Sequence, residues 1–519
     1  MEKVYLYDTT LRDGTQGEGV SLSVEDKLKI ALKLDKLGAN YIEGGWPGSN
    51  PKDMEFFNRA KDLELENAVI TAFGSTRRPN VKVDEDNNLK ALVEAGVKAC
   101  ALVGKSWDFH VEAALNTTLE ENLDMIYSSI KYLKEKGLEV IFDAEHFFDG
   151  YQKNPQYAMK TLEAAQRAGV DWIALCDTNG GTLPHTIQDI ISTVVEEIDV
   201  PVGIHAHNDG DMAVANTVIA VEAGARQVQG TINGFGERCG NANLCSIIPN
   251  LQLKGNYQVV TLEQLGMLTE VSRYVNEIAN VVPPTNQPFV GYSAFAHKGG
   301  IHVSALLKNP KTYEHLEPEL VGNKRRVLVS ELSGYSNLRY KAEELNLDVD
   351  LDAPETKKVI QEIKELEHQG YQFEGAEGSL ELLLMKAKGE IDELFKLVSF
   401  KIMLEKQSDN GIISEAIVKL EVNGEIVHTA AEGNGPVNAL DNALRKSLEQ
   451  FYPQLAQMYL ADYKVRVLEE KDGTEAKVRV LIETKDKHRN WSTVGVSANI
   501  IEASWQALAD SMKYGLLKK

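Results

Sequence analysis

Short β-branched or apolar runs recur eight times along the N-terminal half: Val4–Tyr7, Tyr41–Glu43, Ala68–Ala72, Ala99–Val103, Glu139–Phe142, Trp172–Cys176, Val202–His205 and Gln227–Thr231. An amphipathic stretch follows each run, at a mean spacing of roughly 32 residues, and eight strand-then-helix units are what a (β/α)8 TIM barrel requires. The first helix carries explicit boundary signals. Ser23-Val24-Glu25-Asp26 has capping-box form, Leu28, Ala31 and Leu32 share a face, and Gly38 stops the helix. Later units close on Gly96, Gly137, Gly169 and Gly224. An open doubly wound sheet is the competing fold, but no run is followed by a Gly-rich dinucleotide turn, which favours the barrel.

Barrel chemistry sits on the loops that leave the strand C-termini. Here those loops carry Arg12-Asp13, Glu43, Arg77-Arg78, Lys105, Asp143-Ala144-Glu145, Asp177-Thr178, His205-Ala206-His207 and, after the eighth run, Asn241. The opposite ends read Gly-Ala-Asn, Gly-Val-Lys and Gly-Leu-Glu, so titratable side chains gather at one mouth. His205 and His207 stand at positions i and i+2 of a strand, so their imidazoles face the same way and can meet one cation. The closed order of a barrel brings the loops after the seventh, eighth and first strands together. Asp13 can therefore add a carboxylate, with the Asn241 amide beside it. Such a mixed nitrogen and oxygen set suits Mn²⁺, Mg²⁺ or Zn²⁺ as a Lewis acid, and the residues do not choose among them.

Three further features bound the function. The formal charge of −22 opposes a nucleic-acid or anionic-membrane partner and requires local capture of any anionic substrate. No run of about 18 apolar residues suggests a membrane span. Four cysteines without disulfide-framework or CxxC spacing point to a reducing cytoplasm.

Taken together, Asp8-Thr9-Thr10-Leu11-Arg12-Asp13-Gly14-Thr15-Gln16, His205-Ala206-His207-Asn208-Asp209 and Gly236-Glu237-Arg238-Cys239-Gly240-Asn241-Ala242 resemble the isopropylmalate, homocitrate and citramalate synthase family. The likeness continues through His297-Lys298-Gly299-Gly300-Ile301-His302, Tyr313-Glu314-His315 and Leu332-Ser333-Gly334-Tyr335-Ser336-Asn337. Tyr41–Asp53 and Phe73–Arg78 resemble the citramalate branch of that family most closely.

The resemblance implies an acyltransferase that condenses acetyl-CoA with pyruvate to (R)-citramalate, a precursor of isoleucine. It implies Asp13, His205, His207 and Asn241 at the metal, and Arg12 on the oxo acid and its developing alkoxide. Thr178 would hold the substrate carboxylate. His302 would be the base, with Glu145 tuning it and Tyr313 nearby, although His297 and His315 lie close in sequence. Glu43 belongs to the polar inner network. Asp143 stands at a pocket-lining position that varies between members, with a tyrosine in some. Alternatives are another 2-oxo acid, as in isopropylmalate or homocitrate synthases, or a lyase of the same barrel superfamily.

The barrel rhythm runs through residues 1–280. Residues 281–395 open on Pro283-Pro284-Thr285-Asn286-Gln287-Pro288 and continue as small helical segments with a charged stretch at Leu347–Glu355, the expected linker and lid. Residues 396–519 read as an α+β module: Phe400–Glu405, Ile413–Val422, Tyr463–Leu468 and Ala476–Glu483 alternate apolar and polar residues. Gly435–Leu444 and Asn499–Leu508 echo one another as helix openings. The module resembles the allosteric domain of the same synthases, which implies a homodimer and an amino-acid effector, isoleucine by pathway logic. The proline-rich linker leaves open whether His302 completes its own barrel or its partner's.

Overall fold

The computed structural model describes residues 1–329, 337, 340, 354–387, 393–407, 411–468 and 476–518. The 332–336 part of the serine- and glycine-bearing motif and the 347–353 part of the charged stretch lie outside the described residues. Packing divides the chain into two units, Met1–Phe295 with Leu316–Arg325, and Ala296–His315 with Arg326–Lys519.

The first unit is a closed eight-stranded parallel barrel in sequential order. Its strands are β1 (Tyr5–Asp8), β2 (Tyr41–Gly45), β3 (Val69–Ser75), β4 (Ala99–Lys105), β5 (Glu139–Glu145), β6 (Trp172–Asp177), β7 (Val202–Ala206) and β8 (Gln227–Gly230). Closure is made by β1 against β8, with Tyr5 opposite Gln227 and Asp8 opposite Gly230. The expected barrel is therefore present, and every expected run falls on a strand to within one residue.

The first intervening helix, Val24–Leu37, begins at a reciprocal Ser23–Asp26 capping box and ends at Gly38 with φ 96°. Only a residue without a Cβ adopts that left-handed stop without strain. Helix faces and outward strand residues form one continuous core that includes Leu34, Ile42, Leu102, Phe142, Leu162, Ile173 and Ile204.

Alternation along the strands gives the lumen its layers. Tyr7, Tyr41, Ala101, Ile141, Trp172 and Ala174 form a separate apolar cluster. Two residues further along the same strands stand Glu43 on β2, Val103 on β4, Asp143 on β5 and Cys176 on β6. The inward parity that makes an apolar plug below thus produces a polar layer above it.

The second unit contains two three-stranded antiparallel sheets. One joins Lys396–Gln407, Gly411–Val422 and Glu425–Gly433, and the other joins Tyr459–Val467, Val478–Lys485 and Asn490–Ser497. Helices Pro436–Leu448 and Ile500–Leu517 each follow a sheet and share a core containing Val418, Leu440, Leu444, Ile482, Trp505 and Leu508. The strand-and-helix echo of the sequence is thus a repeated architecture. Glu425–Gly433 and Asn490–Ser497 were not among the expected strands. The first has no buried residue and alternates only between half-exposed and exposed, and the second is polar along much of its length, so neither shows strong amphipathic alternation. No helix among the described residues is long and apolar enough to cross a membrane.

Candidate active site

The mouth of the barrel opens into a cavity of ≈ 450 Å³ whose lining includes Arg12, Asp13, Trp46, Phe73, Lys105, Asp143, Glu145, Thr178, His205 and His207. Each is delivered by a strand end or by the loop after one. The turn after β2 is held rigidly. Buried Lys27 donates to Asp53 Oδ1 at 2.5 Å and to the Gly44 carbonyl at 3.0 Å, while the Trp46 amide donates to Asp53 Oδ2 at 2.9 Å. A Cβ at Gly45, where φ is 149°, would strike the Asp53 carboxylate, so the clamp depends on glycine there.

Arg12 is anchored on both sides. Its Nε and Nη2 donate to Glu43 Oε1 and Oε2 at 2.7 and 3.3 Å, and its Nη1 donates to Asp13 Oδ2 at 3.1 Å. The guanidinium also lies over the Phe73 ring, 3.8 Å from its centroid. Burial opposes the charge, but Glu43 and then Asp13 outweigh it, so Arg12 stays a cation. Burial also pushes the Asp13 carboxyl up, yet Arg12, His205 and His207 together hold it at about 2.

Asp13, His205 and His207 offer ligand atoms that all lie within 4.8 Å of one another, and all three residues are buried. His205 Nε2 stands 3.3 Å from His207 Nε2 and 3.5 Å from Asp13 Oδ2. Asn241 donates from Nδ2 to Asp13 Oδ1 at 3.0 Å, while its own Oδ1 is buried with no hydrogen-bond partner. Burial and the neighbouring His205 push His207 down to about 3, and burial lowers His205 against the pull of Asp13. Two neutral imidazoles, an anionic carboxylate and an orphaned amide oxygen fit a divalent cation, which the group could hold.

Other expected residues take distinct places. Thr178 Oγ1 accepts from the His146 amide at 2.9 Å, which leaves its own proton to donate into the mouth. His146 adopts φ 56° to make that contact. Glu145 forms an ion pair with Lys105, its register neighbour on β4. Sequence reasoning placed Lys105 at the mouth but gave it no role, although it shares the inward parity of Ala101 and Val103. It also passed over Gln229, a fully buried amide on β8, and Arg238, which donates to both Asp209 oxygens at 2.8 Å and to the Thr178 carbonyl at 2.7 Å. His302 and Tyr313 belong to the second unit, where their rings stack with centroids 4.1 Å apart. His297 in that unit faces Glu314 Oε1 at 3.1 Å.

Comparison with known proteins bears on this geometry. Residues 3–275 match the HMGL-like family, 289–371 the homocitrate synthase post-HMGL domain-like family, and 374–516 the LeuA allosteric (dimerisation) domain. The chain is 59% identical to an (R)-citramalate synthase of Aquifex aeolicus over 519 residues, covering 100% of this chain and 98% of that one. The chain belongs to the (R)-citramalate synthase family. A second (R)-citramalate synthase, from Geobacter sulfurreducens, is 58% identical over 519 residues, with 100% and 98% coverage. A 2-isopropylmalate synthase of Methanocaldococcus jannaschii is 32% identical over 520 residues, with 100% and 96% coverage. The likeness to the (R)-citramalate synthases thus runs through the barrel and through the C-terminal module alike, and the chain is an acyltransferase of that type.

Two buried aspartates also set a pH dependence. Burial pushes Asp8 up to about 7 against donation from Thr10, and burial with the nearby Glu43 charge does the same for Asp143. Unfolded aspartates titrate near ~3.9, so the folded chain keeps protons that the unfolded chain has released between those values. This contribution to stability is complete below about 4 and is lost as pH rises through about 7. Asp143→Asn has no charge to bury and still offers an acceptor. It is expected to raise the thermal midpoint of the metal-free chain more at pH 8 than at pH 5, as scanning fluorimetry would show. An equal change at both pH values would contradict the assignment.

Proposed function

We propose that the chain condenses the acetyl group of acetyl-CoA with pyruvate to give (R)-citramalate and CoA. The observation that carries this reading is the convergence of Asp13, His205, His207 and the anchored Arg12 in one cavity at the barrel mouth. The relatives with 58–59% identity, both (R)-citramalate synthases, support pyruvate over the oxo acid of the 2-isopropylmalate synthase at 32%.

A divalent ion held by Asp13, His205 and His207, with Asn241 beside it, would supply Lewis acidity to the 2-oxo group. Arg12, kept cationic by Glu43 and Asp13, presents its guanidinium to the oxo acid and balances the negative charge that grows on the former carbonyl oxygen. Thr178 donates its hydroxyl proton to the substrate carboxylate. His302, with Tyr313 stacked on it, takes a proton from the acetyl methyl group. The resulting carbanion adds to the oxo carbon, and the new alkoxide is protonated. Glu145, ion-paired with Lys105, tunes or shares the base role in this reading. Hydrolysis of the thioester then releases the CoA thiol and the dicarboxylic acid.

A thiol-release assay with acetyl-CoA and a panel of 2-oxo acids tests this. Pyruvate is expected to exceed 2-oxoisovalerate and 2-oxoglutarate in kcat/KM by about 10–200-fold, the discrimination that pocket size alone provides. Preference for 2-oxoisovalerate would replace the reading with isopropylmalate synthesis. No thiol release with any oxo acid would favour a lyase.

The reading extends to assembly and regulation. The match of residues 374–516 to a domain described as allosteric and dimerising supports a homodimer. Within the second unit a cavity of ≈ 600 Å³, lined by Val437, Asp441, Arg445, Leu455, Met458 and Tyr463 among others, has room for an amino acid such as isoleucine. Isoleucine is accordingly expected to inhibit thiol release, and inhibition by no branched amino acid would remove the effector from the reading. Four unpaired cysteines agree with a cytoplasmic setting.

His302 is read as completing the partner's barrel. Asp13→Ala and His302→Ala are each expected to be inactive, and mixing them with subunit exchange is expected to restore about a quarter of the activity. Sharing between chains leaves one intact site in each heterodimer. Persistent inactivity, with heterodimers demonstrated, would assign His302 to its own chain.

A further inference from the structure

The polar layer beneath the candidate metal site contains a chain of side chains that the mechanism above does not use. Gln229, fully buried on β8, lies between His205 on β7 and Asp143 on β5. Its Oε1 stands 3.0 Å from His205 Nδ1. Its Nε2 donates to Asp143 Oδ1 at 3.0 Å and to Gln227 Oε1 at 3.2 Å. An amide nitrogen has two hydrogens and no acceptor capacity. The Asp143 oxygen on that side sets which way round the amide sits, with its carbonyl toward the imidazole. A carbonyl facing Nδ1 can only accept, so Nδ1 must carry the hydrogen.

We propose that Gln229 is a positioning residue that, seated on Asp143 and Gln227, fixes the tautomer and ring orientation of His205 so that the Nε2 lone pair faces the metal position. Nothing in the family likeness assigns this role, and it gives the aspartate at position 143 a use beyond lining the mouth. The parities agree. Asp143, His205 and Gln229 all point into the lumen, and register pairs Cys176 with His205 and His205 with Gln229. The amide serves here where a carboxylate or backbone carbonyl usually holds a ligating histidine. An amide supplies orientation without a further negative charge in a lumen that already contains Glu43, Asp143 and Asp13.

The inference rests on the metal reading, and the two can fail separately. Mn²⁺ binding to the full-length chain is measured by calorimetry for the wild type, His207→Ala, Gln229→Met and the double variant Gln229→Glu with Asp143→Asn. Gln229→Met keeps the length and removes the acceptor, and is expected to weaken Mn²⁺ binding by about 10–100-fold, the usual cost of losing an outer-shell partner. Gln229→Glu with Asp143→Asn exchanges the amide and the carboxylate, keeping an acceptor on Nδ1–H, a donor–acceptor contact between the two positions and the charge of the lumen, and is expected to stay within about threefold of the wild type, a rescue that loss of packing alone would not produce. A folded Gln229→Met chain that binds Mn²⁺ like the wild type overturns the role. Wild-type binding no tighter than that of His207→Ala instead removes the metal reading itself. If Gln229→Met does not fold, the ¹⁵N imidazole spectrum of the metal-free wild type decides. His205 is expected as the Nδ1–H tautomer, and an Nε2–H tautomer overturns the proposal.

Discussion

His207→Ala is expected to yield a folded chain that retains no divalent ion after dialysis and condenses acetyl-CoA with pyruvate at least about 10³-fold more slowly. A loss of that size is about 4 kcal/mol of transition-state stabilisation, the scale on which Lewis-acid activation of a carbonyl operates. Folding is expected to survive because the imidazole contributes little to it. His207 Nδ1 is buried without a hydrogen-bond partner, and at neutral pH the ring carries no charge that an ion pair could lose. The acid side reverses the usual ranking. His207 titrates at about 3 in the folded chain, whereas an unfolded histidine does so near ~6.5, so below neutrality the wild type loses stability as its unfolded form takes up the proton first. The variant is free of that penalty and should lie closer to, or above, the wild-type midpoint at pH 5. Metal analysis, thiol release and thermal unfolding at two pH values check the set. Normal metal content with normal turnover would remove His207 from the ligands.

Arg12→Lys is the second large effect, although the charge is conserved. The guanidinium reaches both oxygens of Glu43 and one of Asp13 while its carbon stands 3.8 Å from the centroid of the Phe73 ring. An ammonium is a point donor and cannot hold that fork or stack on the ring in the same way. Glu43 is fully buried, and taking away a partner's geometry there is costly, up to about 3–5 kcal/mol when the pairing is broken outright. Lysine should recover part of this, so a fall in thermal midpoint smaller than that of Arg12→Ala is expected. Activity should follow a different order. If the remaining face of the guanidinium serves the substrate, both variants lose about 10²–10³ in kcat/KM, the effect of removing one preorganised donor. Wild-type kcat/KM in a destabilised Arg12→Lys chain would confine Arg12 to a structural role.

The two predictions draw on parts of the molecule that differ in how openly the sequence shows them. The HxH pair is visible because a strand has a period of two, so His205 and His207 must share a face whatever surrounds them. The eight-unit rhythm, the Ser23–Asp26 cap and the stop at Gly38 are visible for the same reason, since each is decided within a few residues of chain. Arg12 was identified through a local motif, but its anchoring by Glu43 joins residues 31 positions apart. The pairing of Lys105 with Glu145, 40 positions apart, gave no local sign. Residues 425–433 and 490–497 were unread as strands because sheet pairing supplied what weak alternation did not signal.

Short-range regularities were thus determined by the sequence alone: the strand and helix periods, the end of the barrel at which titratable groups collect, and the shared facing of the two histidines. They follow from backbone stereochemistry and from the partition of apolar side chains, which act over one or two turns or pleats. Only the tertiary structure decided the partners: Glu43 on Arg12, Lys105 on Glu145, and Gln229 bridging Asp143 to His205. Such pairings depend on barrel closure and strand register, which bring residues 24 to 86 positions apart within 3.0 Å of one another. Register is a property of the closed sheet, in which every strand must satisfy two neighbours at once, so no single segment of the chain contains it.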